Sequence, residues 1–86
     1  MSQIVFTEHA QDMLKERNIK ESWVWDVIKY PTKKTIEDDG NLHYLGTVQE
    51  YENKVLRVVV NGNCKPKKVV TIFFDRRVRD LNETKS

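Results

Sequence analysis

The chain has 86 residues, 38% of them hydrophobic and 33% charged, with a net charge of +2, three Gly, two Pro and one Cys. A domain this small has no room for a deep internal cavity, and the composition is that of a folded chain rather than a disordered one. No apolar run approaches the ~20 residues of a membrane span, no signal-peptide pattern opens the sequence, and the lone Cys64 excludes an internal disulfide framework or a Cys-rich zinc site, so a soluble, cytoplasmic protein is expected.

Ile4-Val5-Phe6 reads as a short strand, Thr7 as a helix N-cap and residues 8–17 as a helix. At 100° per residue, Phe6, Ala10, Met13 and Leu14 share one stripe about 100° wide, the width of a core-facing surface. Asn18 stands where this helix must stop, and Asn is the best residue after Gly for a left-handed cap. A second helix is expected from Glu21 to Tyr30, burying Val24, Val27, Ile28 and one of Trp23 or Trp25. Pro31 ends it, because the residue before a proline is pushed out of the helical region.

Beyond Pro31 the hydrophobic period changes to two. Residues 34–37, 42–51, 54–61 and 67–76 read as strands, with Asp39-Gly40, Glu52-Asn53 and Asn61-Gly62-Asn63 supplying the turns. Strict alternation places Leu56, Val58 and Val60 on one face and Val55, Arg57 and Val59 on the other. In the same way Val70, Ile72 and Phe74 oppose Val69, Thr71 and Phe73, with Thr71 packing within its strand. Both faces of this last pair are largely apolar, which puts it at the sheet centre, under the helices on one side and lining a groove on the other. Lys33-Lys34 followed by Glu37-Asp38-Asp39 reads as a solvated edge strand. The expected fold is α+β, in the order β-α-α-β-β-β-β, with an N-terminal helical hairpin packed on one face of a mostly antiparallel four- to five-stranded sheet. Its core should contain Met13, Leu14, Val24, Val27, Ile28, Val58, Val60, Val70 and Ile72. Residues 1–79 form one domain and 80–86 a flexible C-terminal tail.

Charge is unevenly spread. Residues 1–53 carry six Lys or Arg against ten Asp or Glu, whereas residues 54–79 carry eight against one. Such segregation suits a polyanionic partner, and it also suits a basic hairpin that is merely well solvated. Lys67, Lys68, Arg76 and Arg77, at the ends of the last strand, are the candidate nucleic-acid contacts. Arg57 interrupts an apolar strand beside them, where a cross-strand ion pair is the plainer explanation and a phosphate contact the functional one. His43 and Tyr44 fall on opposite faces of their strand, so only one of them shares a groove with Arg57.

Two residues of the first helix stand out. His9 lies in its first turn at the border of the stripe, where free N–H groups suit an anion and an imidazole suits acid/base chemistry; a boundary histidine bonded to a neighbouring strand is the plainer explanation. Arg17 lies within about 5° of the stripe centre, where an unpaired charge is costly. It must emerge beyond the helix end to salt-bridge a carboxylate such as Asp26, or meet a phosphate, for which the guanidinium is suited. No glycine-rich phosphate loop, Ser-His-Asp arrangement or metal motif is present, so no cofactor or metal is expected. Nothing in the sequence sets the oligomeric state.

The blocks "FTEHAQDMLKERNI" at 6–19, "YP" at 30–31, "LRVVV" at 56–60 and "VVTIFFDRR" at 69–77 resemble a family of small prokaryotic proteins, the domain-of-unknown-function family 4258. Asn18 replaces the family's usual Gly after the helix-ending Arg, and Lys20 stands where a Ser or Thr cap is usual. The element order is in turn similar to that of RelE-like toxins, metal-independent ribonucleases of toxin–antitoxin systems. That likeness implies attack of a ribose 2′-hydroxyl on the adjacent phosphate, with His9 as general base or acid and Arg17 and Arg57 stabilising the charge, and it makes an acidic antitoxin a natural partner. The expectation is therefore an RNA-acting protein, a possible endoribonuclease. The alternatives are a non-catalytic nucleic-acid-binding module and a protein-interaction subunit docking an acidic partner.

Overall fold

The computed structural model describes residues 4–78; the expected tail at 80–86 lies outside them. Strand β1 (Ile4–Phe6) leads into helices α1 (Glu8–Glu16) and α2 (Glu21–Lys29), followed by strands β2 (Lys33–Ile36), β3 (Leu42–Val48), β4 (Lys54–Asn61) and β5 (Lys67–Phe74), with a 3₁₀ turn at Gln49–Tyr51. One five-stranded sheet forms in the order β1-β5-β4-β3-β2. The sheet is mixed: β1 runs parallel to β5, and the other three pairings are antiparallel.

Local chemistry fixes both ends of α1. Thr7 Oγ1 accepts from the Ala10 N–H at 3.1 Å, capping the first turn. The same hydroxyl donates to the Val69 carbonyl at 2.9 Å, as does the Thr7 N–H at 3.1 Å, so the cap also ties the helix to β5. At the other end Asn18 takes φ +53°, the Ile19 N–H reaches the Leu14 carbonyl at 2.9 Å and the Asn18 N–H the Lys15 carbonyl at 3.4 Å. This is a Schellman ending closed by an asparagine, and it drives Ile19 into the core. Lys20 gives α2 no side-chain cap. Gly46 lets α2 sit close to β3, since a Cβ there would lie 3.0 Å from Val27 Cγ2.

The core joins Ala10, Ile19, Trp23, Val24 and Val27 to Tyr44, Val48, Leu56, Val58, Val60, Val69 and Ile72, with Leu14, Ile28 and Phe74 partly buried against it. Two expected members differ. Met13 is half-buried outside this cluster, and Val70 is replaced by Val69. The cause is a β-bulge. Val60 pairs with Val69 while Val59 pairs with Thr71, so Val70 is an extra residue and the alternation of β5 flips there. Of the two tryptophans, Trp23 is buried, and Trp25 is half-buried with its ring 5.4 Å from Phe6.

Strand ends also move. β3 stops at Val48, because Gln49–Tyr51 forms the 3₁₀ turn and Glu52 and Asn53 both take φ +56°. β5 stops at Phe74, where Asp75 begins a turn. Among the described residues no helix is long and apolar enough to cross a membrane.

Candidate nucleic-acid interface

Cross-strand pairing puts His43, Leu45, Val55, Arg57, Val59, Thr71 and Phe73 on the face away from the helices. Arg57 sits inside it, with a side chain only 13% exposed, and donates from Nε to Asp75 Oδ2 at 2.8 Å. Its Nη1 lies 2.7 Å from His43 Nδ1. A guanidinium can only donate, so this nitrogen of His43 accepts, and Nε2 carries the ring proton, directed at Asp39 Oδ2 3.2 Å away. The Asn41 N–H donating to Asp39, followed by His43, holds that carboxyl below its usual range.

Asp75 is the hub of this line. Its Oδ1 accepts from the Arg77 N–H at 3.0 Å and from Arg77 Nε at 3.3 Å, while its own N–H donates to the Val55 carbonyl at 2.9 Å. Burial pushes the carboxyl up, but the donors from Arg77 and Arg57 outweigh it and leave it below the ordinary range. The carboxylate therefore does two things: it neutralises Arg57 and closes the turn that carries Arg76. Asp75 was not a sequence candidate, although as the single acid in residues 54–79 it was conspicuous.

On the other side of Asp75 lies a concavity of about 470 Å³. Arg17, Lys54 and Arg76 line it together with the rings of Tyr51 and Phe74. The two rings pack at 4.8 Å, Tyr51 is 42% exposed, and Lys54 Nζ lies 5.8 Å from the Tyr51 ring centre. Against these three cations stands Glu52, since Asp75 is already paired. A neighbouring concavity of about 440 Å³, between α2 and β3, has the opposite character: Asp26 and Glu50 line it with no base. Of the two, only the first suits a polyanion. Arg17 is thus directed to this basic hollow and not to Asp26, because the helix ends at Glu16 and Arg17 is the cap.

The sequence candidates separate into groups. Arg17 and Arg76 share the concavity, Arg57 reaches it through Asp75, and Arg77 is tethered to that same carboxylate. Lys67 and Lys68 are at the opposite end of β5, roughly 20 Å away by strand rise, and next to β1. His9 lies between these ends, exposed, with Nε2 3.4 Å from Thr71 Oγ1. Thr71, on the sheet face away from the core, pairs across the strands with Val59 and also has His9 beside it. Along α1, Arg17 is about 12 Å from His9 by helical rise. Tyr51 had no signal of its own, because residues 42–51 read as one continuous strand, and Lys54 was one of eight bases in residues 54–79 with nothing to single it out.

A family model described as Domain of unknown function (DUF4258) matches residues 6–74. The chain belongs to the DUF4258 family. No curated protein and no solved structure matches it significantly. The DUF4258 match takes in His9, Arg17, Lys54 and Arg57 and ends at Phe74. The Asp75 hub and Arg76, which complete the basic concavity, lie just beyond it.

Proposed function

We propose that this DUF4258 protein binds single-stranded RNA, seating a phosphate among Arg17, Lys54 and Arg76 and a base on Tyr51. The observation that carries the reading is this juxtaposition of three cations with an exposed aromatic ring around one open hollow. Cations that follow the backbone and rings on which bases stack are the two ingredients of sequence-tolerant single-strand binding. The concavity is shallow and the side chains at its rim are solvated, which suits a segment of chain better than an engulfed small molecule.

Anisotropy of a labelled oligouridine across a salt series tests it. Arg17→Gln and Arg76→Gln should each weaken binding several-fold and flatten the log–log salt slope by ~0.7, one phosphate's worth on a single strand. Tyr51→Ala should cost about 1–3 kcal/mol, the worth of one stacked base. Lys29→Gln, on the exposed end of α2, is the charge control. Equal small effects of Arg17→Gln, Arg76→Gln and Lys29→Gln would sink the reading and favour docking of an acidic protein such as an antitoxin elsewhere on the surface.

A second reading, cleavage in the manner of RelE-like ribonucleases, rests on His9, an exposed imidazole beside Thr71 Oγ1. There a ribose 2′-hydroxyl would attack the adjacent phosphate to form a 2′,3′-cyclic phosphate as the 5′-oxygen of the next nucleotide leaves, with His9 taking the hydroxyl's proton as base or protonating the leaving oxygen as acid, and Arg17 and Arg57 would stabilise charge. The spacing of His9 and Arg17 along α1, about 12 Å by helical rise, argues against both acting on one phosphate and so supports the binding reading over cleavage. His9→Ala separates the two: a loss of cleavage of ~10²-fold or more with binding intact supports the nuclease, and a wild-type protein that binds but cuts no RNA leaves binding alone.

A further inference from the structure

Strand β2 is the edge of the sheet away from β1. The Glu37 N–H donates to the Asn41 carbonyl at 3.1 Å, and Thr35 and Lys33 pair with His43 and Leu45 in the same phase. Antiparallel ladders alternate, so the N–H and C=O groups of Lys34 and Ile36 point outward from the sheet. Ile36 is 73% exposed, a large aliphatic side chain on an open edge. Around it the order is Lys33, Lys34, Thr35, Ile36, Glu37, with bases at one end and an acid at the other.

That order is self-complementary when reversed. We propose that β2 is a self-association edge, where two copies of the chain pair β2 antiparallel about a two-fold axis at Thr35 and join their sheets into one. In this register Lys33 faces Glu37 of the second copy, twice by symmetry. Lys34 faces Ile36 of the second copy, and these two residues exchange their outward N–H and C=O groups. Lys33, Thr35 and Glu37 lie on one face and Lys34 and Ile36 on the other, so each charged pair meets side by side.

Edge lysines alone repel every incoming strand and are a common guard against aggregation. Here Glu37 makes this arrangement attractive where lysines alone would repel, and the alternatives are disfavoured either by like charges or by the turn. A shift that puts Lys34 on the axis opposes it to itself, and parallel pairing stacks Lys33 beside Lys33. A shift that puts Ile36 on the axis draws on residues 38–40, where the chain turns and Gly40 takes φ +80°. The contact is small, so the dimer should be weak and reversible. It does not depend on RNA binding, because no residue of the basic concavity lies on β2.

Sedimentation velocity over a concentration series to roughly 1 mM measures it. The wild type should pass from monomer to dimer. Lys33→Glu and Glu37→Lys should each weaken the dimer about tenfold or more, since both symmetric pairs become like-charged, and the double swap should restore it. Lys33 and Glu37 are exposed, so folding is not at stake. In a Cys64→Ser background, Thr35→Cys should oxidise to a covalent dimer, because residues facing across an axis at a non-hydrogen-bonded pair have Cα atoms ~4.5 Å apart, within disulfide reach. A monomer at every concentration overturns the proposal. So does a double swap that fails to restore association, or a Thr35→Cys protein that cross-links no faster than one carrying Ser22→Cys on the exposed side of α2.

Discussion

On the helix side of the sheet, Leu56, Val58, Val60, Val69 and Ile72 are each 0% exposed, and only apolar contacts hold them. On the other face Leu45, Val55 and Val59 are almost as buried, at 3%, 2% and 3%, yet among them lie His43, Arg57 and the Asp75 carboxylate. The first face needs volume and shape, and hydrocarbon of about the right size satisfies it. The second needs a complete set of partners, because a buried charge that loses its counterion costs several kcal/mol. The line from Asp39 through His43, Arg57 and Asp75 to Arg77 meets that need: among the described residues no buried side-chain nitrogen or oxygen lacks a hydrogen-bond partner. A polar line is also directional, and this one ends beside the basic concavity. The face that is harder to stabilise is the one that positions Arg76.

The contrast breaks most sharply at Asp75. Asp75→Ala strands Arg57 and should cost about 3–5 kcal/mol in urea unfolding. Arg57→Met combined with Asp75→Leu should cost less than Asp75→Ala alone, because no charge is left unpaired. A loss under about 1 kcal/mol for Asp75→Ala would mean that Arg57 is solvated and the two faces are alike.

A smaller effect is expected on the apolar face. Val69→Ala should cost about 1–3 kcal/mol by the cavity it opens, and Val70→Ala distinctly less, because the bulge takes Val70 out of the core. Comparison of the two thermal midpoints checks this, and the reverse order would restore strict alternation in β5.

The least effect is in acid. Folding holds the Asp75 carboxyl below its ordinary range, so its contribution is fully present above the unfolded value, about pH 4, and is lost as pH falls through the lower folded value. Asp39 acts in the same direction. The stability gap between wild type and Asp75→Asn should therefore narrow as pH is lowered from about 6 to 3 in a series of urea midpoints. A gap that stays constant would remove the carboxylate's charge from the account.

Much of the fold was legible because periodicity reports burial. The stripe Phe6, Ala10 and Leu14, the left-handed Asn18, the stop at Pro31 and the alternation in β4 all follow from one-dimensional pattern. The bulge at Val70 was not legible: Val69 and Val70 are the same residue type, and only pairing with β4 decides which turns inward. In the site, Arg17, Arg57 and Arg76 stood out as charges in or beside apolar runs. Asp75 and His43 act by completing Arg57 across 18 and 14 residues of sequence, a relation that no local pattern carries. Tyr51 was hidden because the 3₁₀ turn that presents it, Gln49–Tyr51, is followed by Glu52 and Asn53 in left-handed backbone, which neither residue type demands.

On the proposed reading, RNA is received where Arg17, Lys54, Arg76 and Tyr51 meet. Titrating a short oligouridine into isotopically labelled protein and following backbone amide, arginine side-chain and tyrosine ring resonances tests it directly. The predicted result is a contiguous set of shifts over Arg17, Tyr51, Lys54, Arg76 and the Arg57 Nε–H behind them, fading as salt is raised. Shifts centred instead on His9 and Thr71, or on the Lys67–Lys68 end of β5, with the Tyr51 ring unmoved, would contradict it.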